Sequence, residues 1–469
     1  MSLTEESSLQ SSSSSDDFAS FLDTELELAS SNLSSEDGEP ENDNRNGIEE
    51  PRNKRQKLDS EYTLEIEDPI ICTTSCENTA SPSNIHDQDI CPPHPGFFKG
   101  LCMRCGQLEE EDGSAVAFGY IHKDLRLGSR EIDRLRGADL KNLLREKRLV
   151  LILDLDHTLL NSTRLLDVSD EEWHLVRQAE SSQNDPERSL LKLDGMHMLT
   201  KLRPFVHTFL KEASTMFEMY VYTMGERSYA LEIVKHLDPR RVYFNSKVIS
   251  QSDSTQRHQK GLDVVLGAES LVVILDDTEF VWHKHKENLI LMERYHFFAS
   301  SCRQFGFGNK SLSESKQDES ESDGALANIL HVLKRAYRMF FDPTFDACWS
   351  AQVLGIDLSS RDVRQVLKEI RQEILQGCVI VFSRLFSSTA HPEKEVIWKM
   401  AEQLGATCLR EVDASVTHIV SLDAGTLKSR WALKNGKFLV NPRWIEAANY
   451  LWRRQREEDF PVGSLGEKP

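Results

Sequence analysis

"LVLILDLDHTLLNST" (Leu149–Thr163) is a run of branched apolar residues that ends abruptly in two carboxylates spaced two positions apart. Short apolar runs of this kind are typical of strands buried on both faces of a parallel sheet. Asp154 and Asp156 therefore follow a buried strand at its carboxyl end, where open α/β sheets place their reactive groups. Two carboxylates this close repel each other unless a cation lies between them, and oxygen ligands with room for water favour Mg²⁺.

Strand-like and helix-like segments alternate around this stretch. Two more short apolar runs, MYVYT (219–223) and LVVIL (271–275), are separated by apolar residues at helical spacing in 203–217 and 226–238. This alternation predicts a doubly wound α/β domain with a parallel sheet over residues 145–308. Residues 161–200 interrupt the pattern, and we interpret them as a polar, partly helical insertion.

The other predicted strands and helices supply matching polar groups. Thr223 ends MYVYT, and its hydroxyl and the turn after it can hold phosphate. Lys260 opens KGLDVVL, a predicted helix start, and can neutralise phosphate charge, while Asp276 and Asp277 end LVVIL and offer a second acidic pair for the metal. A carboxylate beside Mg²⁺ can attack phosphorus and form an aspartyl-phosphate, with such donors stabilising the transferred group.

These residues, in this order, resemble the four motifs of the haloacid-dehalogenase superfamily. More narrowly, ILDLDHTLLNS, KLRPFVHTFL, MYVYTMGERSYA, HLDP and VILDDTEFVW are similar to segments of the FCP/SCP-type phosphatases. The resemblance is greatest to the branch that dephosphorylates the C-terminal repeat domain of RNA polymerase II, especially the plant C-terminal-domain-phosphatase-like proteins. It covers about residues 145–300 and 375–465.

The resemblance implies a role for each matching residue. Asp154 would be the nucleophile, and Asp156 would protonate the leaving oxygen and later activate water. Thr158 would help to hold the loop, and Thr223 and Lys260 would bind the phosphoryl group. The implied Mg²⁺ site, which Mn²⁺ or Co²⁺ could fill in substitution, consists of Asp154, the backbone carbonyl of Asp156, Asp276 and Asp277.

Two further residues match the family but have an ordinary structural alternative. Arg203, in KLRPF, matches an arginine that lies close to the active site and the substrate, and the alternative is a helix-capping arginine in an ion pair. Asp238, in HLDP, matches a family acid, although an Asp-Pro turn at a helix end would explain it equally well.

The C-terminal part reads as a linker region followed by a second α/β unit. Residues 309–374 begin with an acidic tract (309–324), either a linker or a long surface loop, and continue as helices. Residues 375–465 resemble a BRCT domain in LGA, THIV and the late tryptophan, Trp444. Ser383 and Lys428 stand roughly where some BRCT domains bind phosphopeptides, but Arg384 replaces the glycine that binders usually carry. Docking onto a protein surface is therefore an equal alternative.

The first 90 residues have the composition of a disordered acidic tail. Residues 1–50 contain fourteen Asp and Glu side chains and one basic residue, Arg45, among runs of serine. Their few apolar side chains cannot offset the entropy of ordering, so we predict that residues 1–90 are disordered. The basic cluster PRNKRQKL (51–58) is either a nuclear import signal or a chance basic patch.

Residues 91–144 contain Cys91-x-x-His94 and, eight residues later, Cys102-x-x-Cys105. Two such pairs are compatible with a tetrahedral Zn²⁺ site, and the alternative is four reduced side chains in a loop.

The overall composition limits the kinds of partner that we expect for this chain. A net charge of −20 argues against strong non-specific binding of nucleic acid, and no apolar run reaches the roughly 18 residues that a membrane span needs. Nine scattered cysteines suit a reducing compartment.

Three functions can be compared with these observations. The first is a nuclear, Mg²⁺-dependent serine/threonine phosphatase of the RNA polymerase II repeat domain that regulates transcription, with general transcription factors as implied partners. A small-metabolite phosphatase is disfavoured by the insertion and the BRCT-like unit. A nuclear adaptor with an inactive phosphatase fold is disfavoured because the reacting residues are all present.

Overall fold

The computed structural model describes residues 91, 93–109, 115–183, 185, 188–306, 310–342, 360–386 and 391–463. The predicted disordered tail (1–90), its basic cluster (51–58) and part of the predicted linker (343–359) lie outside these residues. Within the described ranges, no helix combines the length and apolar character needed to cross a membrane.

A small antiparallel sheet and a long helix form the N-terminal module. Its elements are β1 (Gly96–Phe98), β2 (Leu101–Cys102), β3 (Val116–Ala117), β4 (Leu125–Leu127) and α1 (Ser129–Glu146). The strand order is β2-β1-β4-β3. Helix α1 ends at Lys147, whose left-handed backbone (φ 51°) turns the chain into the next strand.

The next elements build a large sheet and an insertion. They are β5 (Leu149–Leu153), β6 (Leu160–Arg164), α2 (Trp173–Ser181), β7 (Leu190–Leu193), β8 (Met198–Leu202), α3 (Val206–Ala213), β9 (Phe217–Tyr222), α4 (Arg227–Leu237), β10 (Val248–Ile249), β11 (Val272–Asp276), β12 (Leu289–Leu291) and α5 (Ala299–Gln304).

The large sheet is parallel throughout, with the order β10-β9-β5-β11-β12. The chain starts at β5, adds β9 and β10 on one side, and then crosses to place β11 and β12 on the other. Every residue of β5 and β11 is buried, which explains why both strands are apolar up to Asp276, the last residue of β11. The predicted strands at 149–153, 219–223 and 271–275 are thus confirmed, and β5 lies where the strand order reverses.

The insertion is partly helical, as predicted, and it also contains strands that were not predicted. Within 161–200, the helical part consists of α2 and three short 3₁₀ turns, Leu165–Asp167, Asp170–Glu172 and Asp194–Met196. The strands form an antiparallel sheet with the order β6-β8-β7. Strands β7 and β8 are mostly buried and lack the strict alternation by which a half-buried strand is recognised in a sequence.

The acidic tract is packed against the insertion and Arg203 rather than extended as a linker. Ser311 and Ser313 are buried, and the Ser313 hydroxyl donates a hydrogen bond to Glu172 of the insertion (2.5 Å). Glu319 forms an ion pair with the buried Arg203 (2.6 Å). The tract therefore belongs to the surface of the first domain.

The remaining described elements form the C-terminal unit and its connection. They are α6 (Ala325–Phe341), α7 (Val363–Glu373), β13 (Val379–Ser383), α8 (Val396–Gln403), β14 (Thr407–Leu409), β15 (His418–Ser421), α9 (Leu427–Lys434), β16 (Phe438–Val440) and α10 (Arg443–Leu451). The second parallel sheet has the order β14-β13-β15-β16. Trp444 is fully buried, and one continuous apolar core joins both sheets through α6 and α7.

Candidate active site

The three predicted reactive strand ends meet at one edge of the large sheet. Asp154 directly follows β5, Asp276 is the last residue of β11, and Thr223 directly follows β9. The strands are hydrogen-bonded neighbours in parallel register, with Leu153 opposite Leu275. Their side chains are almost completely buried, so these groups do not form an exposed acidic surface.

Lys260 connects two of these carboxylates. Its Nζ atom donates to Asp154 Oδ1 and to Asp276 Oδ2, both at 2.6 Å. The Lys260 backbone N–H donates to the carbonyl of Val281 at 2.9 Å, which holds the lysine in place. The predicted helix start at Lys260 is wrong, because only a short 3₁₀ turn, Leu262–Val264, follows it. The position of the ammonium group depends on the loop, not on a helix terminus.

A group of three carboxylates surrounds the lysine. One oxygen from each of Asp154, Asp276 and Asp277 lies within 4.8 Å of the others, close enough to share one metal ion. Lys260 and Arg294, which binds Asp277 at 2.7 Å, offset part of this charge. Asp156 adds a fourth carboxylate, so the buried site keeps an excess of negative charge. An all-oxygen, acidic donor set of this kind fits Mg²⁺.

Burial and charge shift the pKa values of these groups in opposite directions. Burial raises the pKa of Asp154 well above its usual range, and the ammonium of Lys260 opposes that shift. Burial also raises the pKa of Asp276, again opposed by Lys260. For Lys260, burial would lower the pKa, but the two carboxylates raise it above its ordinary value. The ammonium of Lys260 therefore favours the ionised form of Asp154 and opposes the effect of burial.

Asp156 has a separate environment. Its Oδ1 atom accepts a hydrogen bond from the Tyr229 hydroxyl at 2.6 Å, and Ser162 lies 2.8 Å from the same hydroxyl. Burial raises the pKa of Asp156 to about 6, although the Tyr229 hydrogen bond counteracts the shift. A carboxyl group with a pKa near 6 can both give and accept a proton close to neutral pH.

The loop that carries the two aspartates is fixed by hydrogen bonds to its backbone carbonyls. His157 has a left-handed backbone (φ 62°), an uncommon conformation for a residue with a side chain, and its carbonyl accepts from the Tyr295 backbone N–H at 2.8 Å. Arg203 donates to the Thr158 carbonyl at 3.0 Å and pairs with both oxygens of Glu319. Arg203 thus contacts the backbone of this loop.

Several residues that contact the site were not predicted from the sequence. Arg294 pairs with Asp277, and the Trp282 indole N–H donates to Asp276 at 2.8 Å. Tyr229 contacts Asp156 across 73 positions. Tyr229 and Trp282 do lie in matched segments, MYVYTMGERSYA and VILDDTEFVW, but their contacts follow only from the tertiary fold.

Thr158 and Thr223 differ in their contacts. Thr158 donates to Asp277 Oδ1 at 3.3 Å, so it contacts the acidic cluster. The Thr223 hydroxyl accepts from the backbone N–H of Gly225 at 2.9 Å, which forms a tight turn after β9, the strand beside β5. Their roles in binding phosphate stay predictions.

Asp238 is not brought into this cluster. Its carboxylate accepts hydrogen bonds from three backbone N–H groups, those of Val242, Tyr243 and Phe244, at 2.8–3.0 Å. It lies at the end of α4 and fixes the turn toward β10. Among the described residues, its contacts are those of a turn-stabilising acid and not of a substrate ligand.

The two BRCT residues have separate partners. Ser383 is buried, and its hydroxyl lies 2.7 Å from that of Thr426. Lys428 donates to the carbonyl of Arg410 at 2.5 Å and lies 3.6 Å from Glu411. Arg384 adopts the left-handed conformation (φ 54°) that a glycine would take at this position. The local turn is kept, but the hydroxyl and the ammonium are both engaged elsewhere.

The Cys/His pairs do converge. A sulfur atom from each of Cys91, Cys102 and Cys105 and a ring nitrogen of His94 lie within 4.8 Å of one another.

Comparison with known families agrees with the two-domain architecture. The NLI interacting factor-like phosphatase model matches residues 149–305, and the BRCA1 C Terminus (BRCT) domain model matches residues 371–448. The large parallel sheet with its acidic edge is thus the phosphatase domain of this class, and the predicted BRCT domain is confirmed.

Individual proteins narrow the class. RNA polymerase II C-terminal domain phosphatase-like 4 of Arabidopsis thaliana is 52% identical over 99% of this chain and 98% of its own length. An RNA polymerase II C-terminal domain phosphatase of Caenorhabditis elegans is 30% identical over 80% of this chain and 57% of its own length. The chain belongs to the RNA polymerase II C-terminal domain phosphatase family.

The solved structure of Fcp1, described as an essential RNA polymerase II C-terminal domain phosphatase, shares the fold. It superimposes with a TM-score of 0.53 at 24% identity, over 70% of this chain and 100% of that chain. At this identity the likeness concerns the fold alone.

Proposed function

We propose that the chain is a Mg²⁺-dependent protein serine/threonine phosphatase that acts on the phosphorylated C-terminal repeat domain of RNA polymerase II in the nucleus. The observation that carries this proposal is the buried ammonium of Lys260, which lies 2.6 Å from both Asp154 and Asp276 at the point where the strand order reverses. A buried cation beside carboxylates provides the preorganised charge that phosphoryl transfer uses.

In the first step, one oxygen of Asp154 forms a bond to phosphorus as the bond to the serine or threonine oxygen breaks. Asp156 gives its proton to that leaving oxygen, so the alcohol departs neutral. Lys260 and the Thr223 turn stabilise the negative charge on the transferred oxygens. The product is an aspartyl-phosphate on Asp154.

In the second step, water attacks the phosphorus of the aspartyl-phosphate. Asp156, now ionised, takes a proton from this water, and the bond from phosphorus to Asp154 breaks. The pKa of about 6 suits both roles, because neither protonation state of Asp156 is rare near neutral pH. The hydrogen bond from Tyr229 keeps the carboxyl group oriented between the steps.

The donor set fits a Mg²⁺ ion. Asp154, Asp276 and Asp277, with the backbone carbonyl of Asp156, are the groups that would hold it, and Mn²⁺ or Co²⁺ would accept the same oxygens. When bound, the ion supplies positive charge that offsets the carboxylates and the phosphate. Thr158 and Arg294 then orient Asp277 through their contacts with it.

The family supports the substrate class and the compartment. The relatives named above are phosphatases of the C-terminal domain of RNA polymerase II, which is a nuclear enzyme, so we assign this chain the same substrate. The docking of general transcription factors stays a prediction from the resemblance.

Phosphate release from a phosphorylated heptad-repeat peptide, compared with a sugar phosphate at equal concentration, tests this proposal. We expect faster turnover of the peptide, its loss in EDTA and its return with Mg²⁺. Faster turnover of the sugar phosphate would point to a metabolite phosphatase, and no turnover of either would point to an adaptor.

A further inference from the structure

The N-terminal module contains a second cluster of potential metal ligands, which the proposed phosphatase chemistry does not use. It consists of Cys91, His94, Cys102 and Cys105, and its sulfur and nitrogen donors differ from the carboxylates at the sheet edge. The phosphatase family model begins only at residue 149, so it does not include this cluster. We propose that these four side chains bind one structural Zn²⁺ ion.

The spacing of the donor atoms matches a tetrahedral ion. His94 Nδ1 lies 3.2 Å from Cys102 Sγ and 3.5 Å from Cys105 Sγ, and the four donors lie within 4.8 Å of one another. Tetrahedral Zn²⁺, with bonds of about 2.3 Å to sulfur and about 2.0 Å to nitrogen, separates neighbouring sulfur and nitrogen ligands by roughly 3.6 Å. Only small shifts would centre an ion among them.

The backbone around the second pair is shaped to present two thiolates. The Arg104 backbone N–H points at Cys102 Sγ (3.4 Å), and the Gly106 N–H donates to the Cys102 carbonyl (3.0 Å). Gly106 has φ 73°, a conformation that glycine adopts without strain. Amide hydrogen bonds to sulfur favour the thiolate, which is the form that binds metal.

A small apolar cluster lies beside the metal ligands. Its buried residues are Phe97, Cys102 and Ala115, packed with Cys91, whereas Phe118, Leu127 and Ile132 belong to the main core. A cluster of this size contributes little burial, and small clusters of this kind are often stabilised by metals or disulfides. The cysteines among the ligands are free thiols in the structure, so they are available to a metal.

The ligand loop of the proposed ion also packs on the helix that leads into the large sheet. Gly128 stands at the start of α1, and its N–H donates to the Pro95 carbonyl at 3.0 Å. A side-chain carbon at Gly128 would lie 2.5 Å from the His94 carbonyl, so the ligand loop packs directly on this helix. Helix α1 leads into β5. Four protein ligands leave no open coordination position, so the role is structural and not catalytic.

Metal analysis of the purified full-length chain after exhaustive dialysis, in an Asp154→Asn background that weakens the acidic site, tests the proposal. We expect close to one equivalent of zinc per chain. Cys105→Ser should lose it, since Cys105 is exposed and its replacement leaves the core intact. The matched control is Cys408→Ser, a half-buried cysteine of β14, which should retain zinc.

A second pair of variants separates ligand loss from unfolding. His94→Cys keeps four ligands and should retain the metal, whereas His94→Ala should lose it. With Co²⁺ in place of zinc, the chain should show the visible absorption of a tetrahedral thiolate site, altered in His94→Cys. Zinc-free wild-type protein, a disulfide among these cysteines, or equal zinc in Cys105→Ser and wild type would overturn the assignment. None of these readouts depends on phosphatase turnover.

Discussion

The two parallel sheets of this chain place very different groups at the carboxyl ends of their central strands. After β5, Asp154 faces the ammonium of Lys260, which also binds Asp276. At the end of β13, the hydroxyl of Ser383 lies 2.7 Å from that of Thr426. Both sets are buried, but one is charged and the other is neutral.

The difference indicates which sheet edge needs a bound cation to balance its charge. The hydroxyl network is complete within the chain, because Thr426 accepts from the Ser429 backbone N–H at 3.0 Å and caps helix α9. The acidic edge keeps more carboxylates than cations, and uncompensated buried charge is costly. We therefore expect the same strand-end position to serve chemistry in the first sheet and packing in the second.

The largest expected effect comes from Asp154→Asn. An amide cannot attack phosphorus or bind Mg²⁺ comparably, so we expect turnover of a phosphorylated repeat peptide to fall by about 10³-fold or more. Steady-state phosphate release measures it. A variant that keeps the wild-type rate would contradict the assignment of the nucleophile.

Lys260→Ala should have the next largest effect. It should show whether the lysine stabilises the site through its positive charge. It leaves Asp154 and Asp276 buried without their shared cation, and breaking a buried pair costs about 3–5 kcal/mol. Because Mg²⁺ can supply replacement charge, the loss of stability should be greater in EDTA than in Mg²⁺. Denaturant unfolding under both conditions measures this, and a loss independent of metal would refute the shared charge site.

Tyr229→Phe should give a smaller, pH-dependent effect. The Tyr229 hydrogen bond favours ionised Asp156, so its removal should raise the pKa of Asp156 above about 6. The alkaline limb of kcat/KM should then move to higher pH, by about one unit if the bond is worth about 1.4 kcal/mol. Ser383→Ala is the control, and an unchanged limb in Tyr229→Phe would show that the tyrosine does not tune this group.

The smallest effect is expected at the neutral edge. Ser383→Ala removes one hydroxyl from a network that retains the Thr426–Ser429 contacts, so it should cost about 1 kcal/mol of unfolding free energy. Turnover should stay unchanged. Weaker binding of phosphorylated repeat peptide by full-length Asp154→Asn carrying also Ser383→Ala would instead show that the BRCT edge recognises phosphate.

Much of the acidic edge was predictable because its residues adjoin recognisable strands. Asp154, Asp156, Asp276 and Thr223 each follow a short apolar run, and a parallel sheet brings such ends together. Lys260 was predicted as a phosphate-binding cation for the wrong local reason, since a loop and not a helix positions it. The presence of a lysine was therefore informative, whereas the secondary structure predicted around it was wrong.

The supporting contacts could not be predicted from local patterns. Arg203 finds Glu319 across 116 positions, through an acidic tract whose composition suggested a linker or a loop. Tyr229, in α4, contacts Asp156 across 73 positions, which no local pattern predicts. The insertion sheet was missed because its strands are short and their apolar and polar residues do not alternate strictly.

The account depends most on covalent chemistry at Asp154. Rapid quenching of the Mg²⁺-loaded chain during turnover of a radiolabelled phosphopeptide, followed by digestion and mass spectrometry, tests it directly. We predict a transient, hydroxylamine-sensitive phosphate on the peptide that contains Asp154, absent from Asp154→Asn. Full turnover with no label on Asp154, or with the label on another residue, would contradict the account.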